Sequence, residues 1–138
     1  VALGAGIADG LGCGDNGKAA FMTRGLAEIT RLGVAAGASP MTFSGLAGLG
    51  DLLATCASNL SRNRYVGEQL ARGRPLDDIL ASMKNVAEGV YTTVAAMTMA
   101  RELKVEMPIT QAIYQVLFEG LDPGQAALEL MDRPPKPE

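Results

Sequence analysis

The sequence contains no histidine and no tryptophan, and only 4% of its 138 residues are aromatic. The absence of histidine removes the commonest general base and the commonest metal ligand, so we expect no metal site. The net charge is −3. Since the chain has neither a positive field nor aromatic rings for base stacking, its composition does not support a nucleic-acid partner.

Cysteine is also scarce. Cys13 and Cys56 lack the spacing of metal ligands, and we interpret them as reduced, buried thiols rather than as a disulfide. No apolar run is long enough to cross a membrane, and no cationic start with an apolar core marks a signal peptide. These absences predict a cytoplasmic protein without a membrane partner. Because Val1 lies inside an apolar pattern, we expect the chain to be a fragment.

Hydrophobic residues make up 48% of the chain, which is enough for the core of one domain. Apolar residues recur at three-and-four spacing through most of the sequence, and no stretch shows the alternation of a strand. The pattern therefore predicts an all-α domain of seven or eight helices over residues 1–132. Residues 133–138, rich in proline, are predicted to form a flexible tail.

The first fifty residues contain two glycine-rich segments and one long amphipathic helix. Glycines in the opening helix, residues 1–11, would allow close contact between helices. The segment GCGDNG at 12–17 matches G-x-G-x-x-G, but no strand context supports a dinucleotide-binding turn. We interpret it as a turn between helices, with Asp15 or Asn16 capping the next helix.

The long amphipathic helix, predicted at residues 17–36, has a charged face. Arg24, Glu28 and Arg31 lie on this face at helical spacing, and we expect it to be solvated or to form a subunit contact. Lys18 at the start of the helix is expected to be exposed. Neither prediction assigns these residues to a functional site.

The most informative stretch is GLAGLGDLLATCASNLSRNR, residues 45–64. Its three glycines permit tight turns or close approach to a neighbour. Asp51 can cap a helix or favour its start, and Thr55, four residues later, shares its helical face. Asn59 and Ser61 are start signals for a second helix, whose first turn is the run of three residues that follows.

Two interpretations of this stretch remain open on the residues alone. In one, Asp51 and Ser61 are ordinary caps and the two arginines are solvated. In the other, free amides at a helix start, a hydroxyl and a guanidinium bind phosphate, while the carboxylate accepts from hydroxyl groups. Taken together, the groups favour a site for a small polyol phosphate.

Further along, the segment KNVAEG at 84–89 interrupts the helical pattern just before a new helix. Glu88 suits a helix start because a carboxylate there interacts favourably with the helix dipole. On the residues alone, this structural interpretation competes with a functional one.

Several motifs follow one another along the chain: the opening AGIADGLGCGDNGKAAFMTRGLAEITRLG, then GLAGLGDLLATC with SRNR, then VAEGVYT and VEMPI. In this combination the chain resembles the C-terminal domain of bacterial NAD(P)-dependent glycerol-3-phosphate dehydrogenases. The resemblance implies a helical domain of the 6-phosphogluconate dehydrogenase C-terminal type. It also implies a nucleotide-binding Rossmann domain that lies upstream and is absent from this chain.

The resemblance implies that this domain binds glycerol 3-phosphate or dihydroxyacetone phosphate. Asp51 would bind substrate and help to organise a proton-transferring lysine, which is expected upstream of Val1, so no catalytic residue is expected in the chain. The substrate phosphate would be held by Ser61, Arg62 and Asn63, with Thr55 as a supporting hydroxyl.

For the cofactor, NAD or NADP, the resemblance implies contacts from Arg62, Val86 and Glu88, with most of the binding supplied by the upstream domain. The implied reaction is the reversible reduction of dihydroxyacetone phosphate to sn-glycerol 3-phosphate, which feeds phospholipid synthesis. A homodimer is expected, and the isolated fragment is expected to be inactive. The alternatives are a non-enzymatic helical interaction or dimerisation domain, and the helical domain of another hydroxy-acid dehydrogenase.

Overall fold

The computed structural model describes residues 1–134, and within this range the protein is all-α, as predicted, with no strand. The described residues form nine α-helices and one π-helical turn, Leu46–Gly50, which leads directly into the fourth helix. The helices are α1 Ala2–Gly10, α2 Gly14–Ala35, α3 Pro40–Ser44, α4 Asp51–Ala57, α5 Arg62–Ala71, α6 Leu76–Ser82, α7 Gly89–Leu103, α8 Pro108–Phe118 and α9 Pro123–Met131.

The proline-rich end is only partly described. Arg133 and Pro134 are exposed and follow the last helix without joining it. The other residues of the predicted tail, 135–138, lie outside the described part of the chain. No helix within residues 1–134 combines the length and the apolar character that crossing a bilayer requires.

The closest helix–helix contact joins α1 to α5, where glycine is required on both sides. A β-carbon built at Gly6 would lie 1.9 Å from the carbonyl oxygen of Arg64, and one at Gly67 would lie 1.8 Å from that of Leu3. The two backbones therefore touch directly, which explains why glycine occupies helix interiors despite its low helix propensity. The close packing predicted for the glycines of α1 is confirmed.

Most of the core packs around this contact. The larger apolar cluster combines residues from α1, α5, α6, α7, α8 and α9, and the most deeply buried large side chains in it are Val66, Ile79 and Val90. A smaller cluster places Ala5 of α1 against Leu52 and Cys56 of α4. Helix α4 is thereby fixed beside α1, which positions it next to the start of α5.

The prediction that Glu28 lies on a solvated or subunit-contacting face of α2 is wrong, because this residue is only 2% exposed. Its carboxylate accepts hydrogen bonds from the backbone amides of Ile109 and Thr110 and from the Thr110 hydroxyl. The first turn of α8 has no capping side chain of its own, so a carboxylate from α2 satisfies these buried donors. Burial nevertheless raises the pKa of Glu28, despite these hydrogen bonds. Arg31 is exposed, as predicted.

The turn between α1 and α2 is shorter than predicted, because only Gly12 and Cys13 of the GCGDNG segment lie in it and residues 14–17 already belong to α2. The φ angles are positive at Gly12, 71°, and at Gly14, 72°. The predicted caps, Asp15 and Asn16, are wrong, because α2 begins at Gly14, three residues earlier than predicted, and Asp15 lies inside its first turn. Both cysteines are free, but Cys13 in this turn is exposed, and only Cys56 is buried.

Candidate functional site

The start of α5 has the form that the sequence predicts. Ser61 is the N-cap, and its Oγ accepts a hydrogen bond from the backbone amide of Arg64 at 3.2 Å. Arg62, Asn63 and Arg64 form the first turn, where backbone N–H groups lack partners within the helix. This turn is therefore able to offer donors and the positive end of a helix dipole to an anion.

A cleft of about 390 Å³ opens at this helix start. Its walls come from α4, from the connection between α4 and α5, from the first turn of α5 and from the segment before α7. The lining residues are Ala54, Thr55, Ser58, Leu60, Ser61, Arg62, Asn63, Val86 and Glu88. Six of the seven residues that the sequence singled out thus meet at one cleft.

The seventh, Asp51, does not line the cleft. It is exposed and lies one helical turn before Thr55 on α4, about 6 Å along the axis. The prediction that Asp51 caps a helix is wrong, because Gly50 is the N-cap and no side chain caps α4. The preceding π-helical turn runs into α4 without a break, so Asp51 lies within helical backbone rather than before it. Its carboxylate is consequently not engaged as a cap.

Asn63 connects the start of α5 to the start of α7. Its Oδ1 accepts a hydrogen bond from the amide of Gly89 at 2.9 Å. A β-carbon at Gly89 would lie only 2.8 Å from the Asn63 Cγ, so the close approach requires glycine. This contact places Val86 and Glu88 at the same cleft as the first turn of α5, although they are more than twenty residues away in sequence.

The cleft is lined by one cationic side chain, Arg62, and one carboxylate, Glu88, and its end at the start of α5 is the part suited to an anionic ligand. Arg62 is exposed, and no ion pair within residues 1–134 involves it. The Asn63 amide oxygen is occupied by Gly89, which leaves its NH2 group as a donor. Across the described part of the chain, no cluster of cysteine, aspartate and glutamate side chains could hold a metal ion.

Sequence reasoning missed an ionic cluster directly behind this turn. Asp9 Oδ2 lies 2.5 Å from Arg64 Nε and 2.8 Å from Lys18 Nζ, so the expectation that Lys18 is exposed is wrong. Burial raises the pKa of Asp9, but the hydrogen bonds and charges of Lys18 and Arg64 outweigh burial and lower it below the ordinary value. The three residues belong to three helices, and no local pattern in the sequence signals that they meet.

Comparison with known proteins identifies the family of this chain. Residues 1–128 match the family described as the C-terminus of NAD-dependent glycerol-3-phosphate dehydrogenase. The glycerol-3-phosphate dehydrogenase (NAD(P)+) of Chlorobium limicola is 59% identical over 138 residues, which cover all of this chain and 41% of that protein. The protein of that name from Dehalococcoides mccartyi is 62% identical over 131 residues, covering 95% of this chain and 36% of its own length.

A solved structure shows the same fold. The crystal structure of glycerol-3-phosphate dehydrogenase from Coxiella burnetii superposes with a TM-score of 0.93 at 42% identity, over 96% of this chain and 41% of that one. The chain thus spans about two fifths of the length of the curated relatives and the structure that it matches. These findings confirm the family resemblance seen in the motifs. The chain belongs to the family of C-terminal domains of NAD-dependent glycerol-3-phosphate dehydrogenases.

Proposed function

We propose that this chain is the substrate-binding part of an oxidoreductase that interconverts sn-glycerol 3-phosphate and dihydroxyacetone phosphate with NAD or NADP. In this proposal the reaction supplies the backbone of glycerophospholipids. The observation that supports it most strongly is the cleft at the start of α5. It is lined by six residues that the family resemblance associates with substrate or cofactor.

The substrate phosphate binds, in this proposal, to the phosphate-binding turn, which we define as Ser61–Asn63. Arg62 supplies a guanidinium that makes no ion pair with the described residues, and charge-assisted bonds from a guanidinium to phosphate are among the stronger polar contacts. The NH2 group of Asn63 and the amides of the first turn add further donors. A dianionic phosphate would thereby exchange its hydration shell for fixed donors.

The remaining part of the substrate faces α4. Thr55 offers a hydroxyl within the cleft, and Asp51 offers an acceptor one turn away along the same helix face. We infer that Asp51 contacts the hydroxyl or carbonyl end of the substrate and orients a lysine from the rest of the protein. That lysine, by the family resemblance, transfers the proton to the carbonyl oxygen, so the chemistry needs more than this domain.

The cofactor side of the cleft is formed by Val86 and Glu88, together with Arg62. Val86 is exposed and apolar, and the exposed Glu88 carboxylate is able to accept from hydroxyl groups, so these residues fit the edge of a dinucleotide. When bound, the nicotinamide supplies or accepts the hydride. The residues of this chain orient it and do not make up a complete nucleotide site. We further expect a cytoplasmic homodimer that binds neither nucleic acid nor a membrane.

The direct test is the variant Arg62→Ala in the full-length protein. We expect KM for dihydroxyacetone phosphate to rise by about a hundredfold, because a charge-assisted contact to phosphate is lost. Arg72→Ala is the matched control, since Arg72 pairs with Glu68 at the far end of the same helix and is remote from the cleft. An unchanged KM for Arg62→Ala would remove this residue from the site and refute the proposed role of the cleft.

A further inference from the structure

We propose that Asp9, Lys18 and Arg64 are positioning residues that hold the phosphate-binding turn in place from behind, an inference that rests on the proposed function. None of the three lines the cleft. They would therefore affect substrate binding only through the backbone that carries Ser61, Arg62 and Asn63, and not by touching the substrate.

Arg64 contacts the segment before the phosphate-binding turn, the turn itself and a neighbouring helix. Its Nε donates to Asp9 of α1, and one of its terminal nitrogens donates to Asn59 Oδ1 at 3.0 Å, in the connection before the turn. Its backbone amide donates to Ser61 Oγ. One residue thus ties the connection, the cap and the first turn of α5 to a neighbouring helix. Its side chain is only 16% exposed, so these charged contacts are screened less than surface ion pairs.

Asp9 is a rigid anchor for Arg64. It lies near the end of α1, whose backbone touches that of α5 at Gly6 and Gly67, so the two helices pack without a gap between them. Lys18, from α2, donates to the same carboxylate oxygen that Arg64 uses. The carboxylate is consequently held by cations from two helices, which restricts its rotation.

Such support matters for binding a dianion. Donors that are already in position lose little freedom when the phosphate arrives, whereas a loose turn must be ordered at the expense of affinity. An error of about 1 Å in the placement of contact groups is able to cost orders of magnitude in rate. We therefore expect the cluster to affect the binding of the phosphorylated substrate more than the overall stability of the fold.

The test compares Asp9→Asn and Arg64→Ala with Arg62→Ala and Arg72→Ala in the full-length enzyme. Asp9→Asn and Arg64→Ala should each raise KM for dihydroxyacetone phosphate about tenfold, with kcat within about twofold of wild type. Arg72→Ala, which also removes an arginine–carboxylate pair from α5, should leave KM unchanged. The double variant Asp9→Asn with Arg64→Ala should raise KM by less than the product of the two single effects, because both changes break the Asp9–Arg64 contact.

A further variant distinguishes positioning from plain stability. Arg64→Lys keeps the charge for Asp9 but cannot reach Asp9 and Asn59 together, so it should restore KM only in part. If the variants lower the melting temperature but leave KM unchanged, the cluster is merely structural and the inference is overturned. If Arg62→Ala also leaves KM unchanged, the proposed function fails as well. A raised KM for Arg62→Ala alone would reject only the positioning role.

Discussion

Two glycine-rich regions adjoin the helices α4 and α5 that line the cleft, and glycine packs against a different kind of partner in each. In the α1–α5 contact, Gly6 and Gly67 are buried where the two backbones touch, with no space for a β-carbon. In residues 41–53, a β-carbon at Gly45 would meet nothing closer than 3.7 Å, and Leu46 is 90% exposed. A β-carbon at Gly48 would lie 2.3 Å from the carbonyl oxygen of Phe43, so the close approach in this region is local, within one segment of the chain. One wall of the cleft therefore belongs to a fixed helix pair. The other follows a segment that is largely exposed in this domain.

The comparison shows that glycine content alone does not identify a working surface. In the first region glycine allows two helices that are distant in sequence to touch, whereas in the second Gly48 allows the π-helical turn to pack on the backbone of Phe43, five residues earlier. The residues that we propose to bind substrate line the cleft from α4 and from the start of α5. Substitutions that disrupt one region at a time should therefore change the free energy of unfolding by very different amounts.

The largest effect is expected for Gly67→Ala. Its β-carbon would lie 1.8 Å from the Leu3 carbonyl oxygen, so α1 and α5 must separate, at a cost of at least about 3 kcal/mol. The matched control is Gly50→Ala, where the backbone is already helical and the nearest atom is the flexible end of Leu46 at 3.3 Å. We expect the control to change the free energy of unfolding by less than about 1 kcal/mol. Urea unfolding of the full-length protein measures both, and equal losses would contradict the comparison.

A second test concerns the buried polar contact between α2 and α8. Glu28→Gln retains the shape of the side chain but replaces an acceptor oxygen with a donor that faces other donors. We therefore expect a loss of about 2 kcal/mol at neutral pH. The control is Glu102→Gln at an exposed position on α7, which should change stability by less than about 0.5 kcal/mol.

The pH dependence of this pair has a definite sign. Because burial raises the pKa of Glu28 in the folded state, its stabilising contribution is fully present below the ordinary value of 4.5. That contribution falls as pH rises through the folded-state pKa. The stability advantage of the wild type over Glu28→Gln should accordingly shrink with rising pH. An advantage that grows with pH would show that the carboxylate is stabilised, rather than disfavoured, as an ion.

A smaller effect is expected at the boundary between the two regions. Ser61→Ala removes the cap of α5 and should cost about 1 kcal/mol, while Ser61→Gly should cost only a few tenths. The two variants distinguish the role of the Ser61 hydroxyl as a helix cap from its role as a ligand. Both variants lack the hydroxyl, so KM for the phosphate substrate should rise equally in both. Differential scanning calorimetry measures the loss of stability, and steady-state kinetics measures KM. A rise in KM confined to Ser61→Ala would assign the effect to the cap.

The smallest effect concerns the thiols. Cys56 is fully buried, and burial raises its pKa, so it should resist alkylation until the protein unfolds. Cys13, exposed in the turn before α2, should react in the native state without loss of stability. Mass spectrometry of alkylated peptides identifies which thiol reacts first. Early modification of Cys56 would show that the α1–α4 packing opens readily.

The parts of the site that are local in sequence were predictable. The serine cap at Ser61 and the first turn after it follow from residue type and spacing, and the structure confirms both. The all-α fold likewise follows from apolar periodicity along the whole chain. These features depend on interactions within about four residues, which a sequence displays directly.

The contacts that join distant segments were not predictable. Glu28 has the helical spacing of a solvated residue, and its burial depends on the start of α8, 81 residues away. The pairing of Asp9 with Arg64 spans 55 residues and follows from the glycine contact between their helices. For Asp51, the continuous π-helical turn overrides the capping preference of aspartate. In each case tertiary packing decides among roles that the residue type alone leaves open.

The hydrogen bond between Asn63 and Gly89 joins two helix starts that are 26 residues apart in the chain. Neither start can shift without breaking this bond or carrying the other with it. In the proposed enzyme, a ligand that orders one helix start also orders the other through this bond, before the second ligand binds. The second ligand then has less conformational entropy to remove, so each would raise the affinity of the other by the same factor.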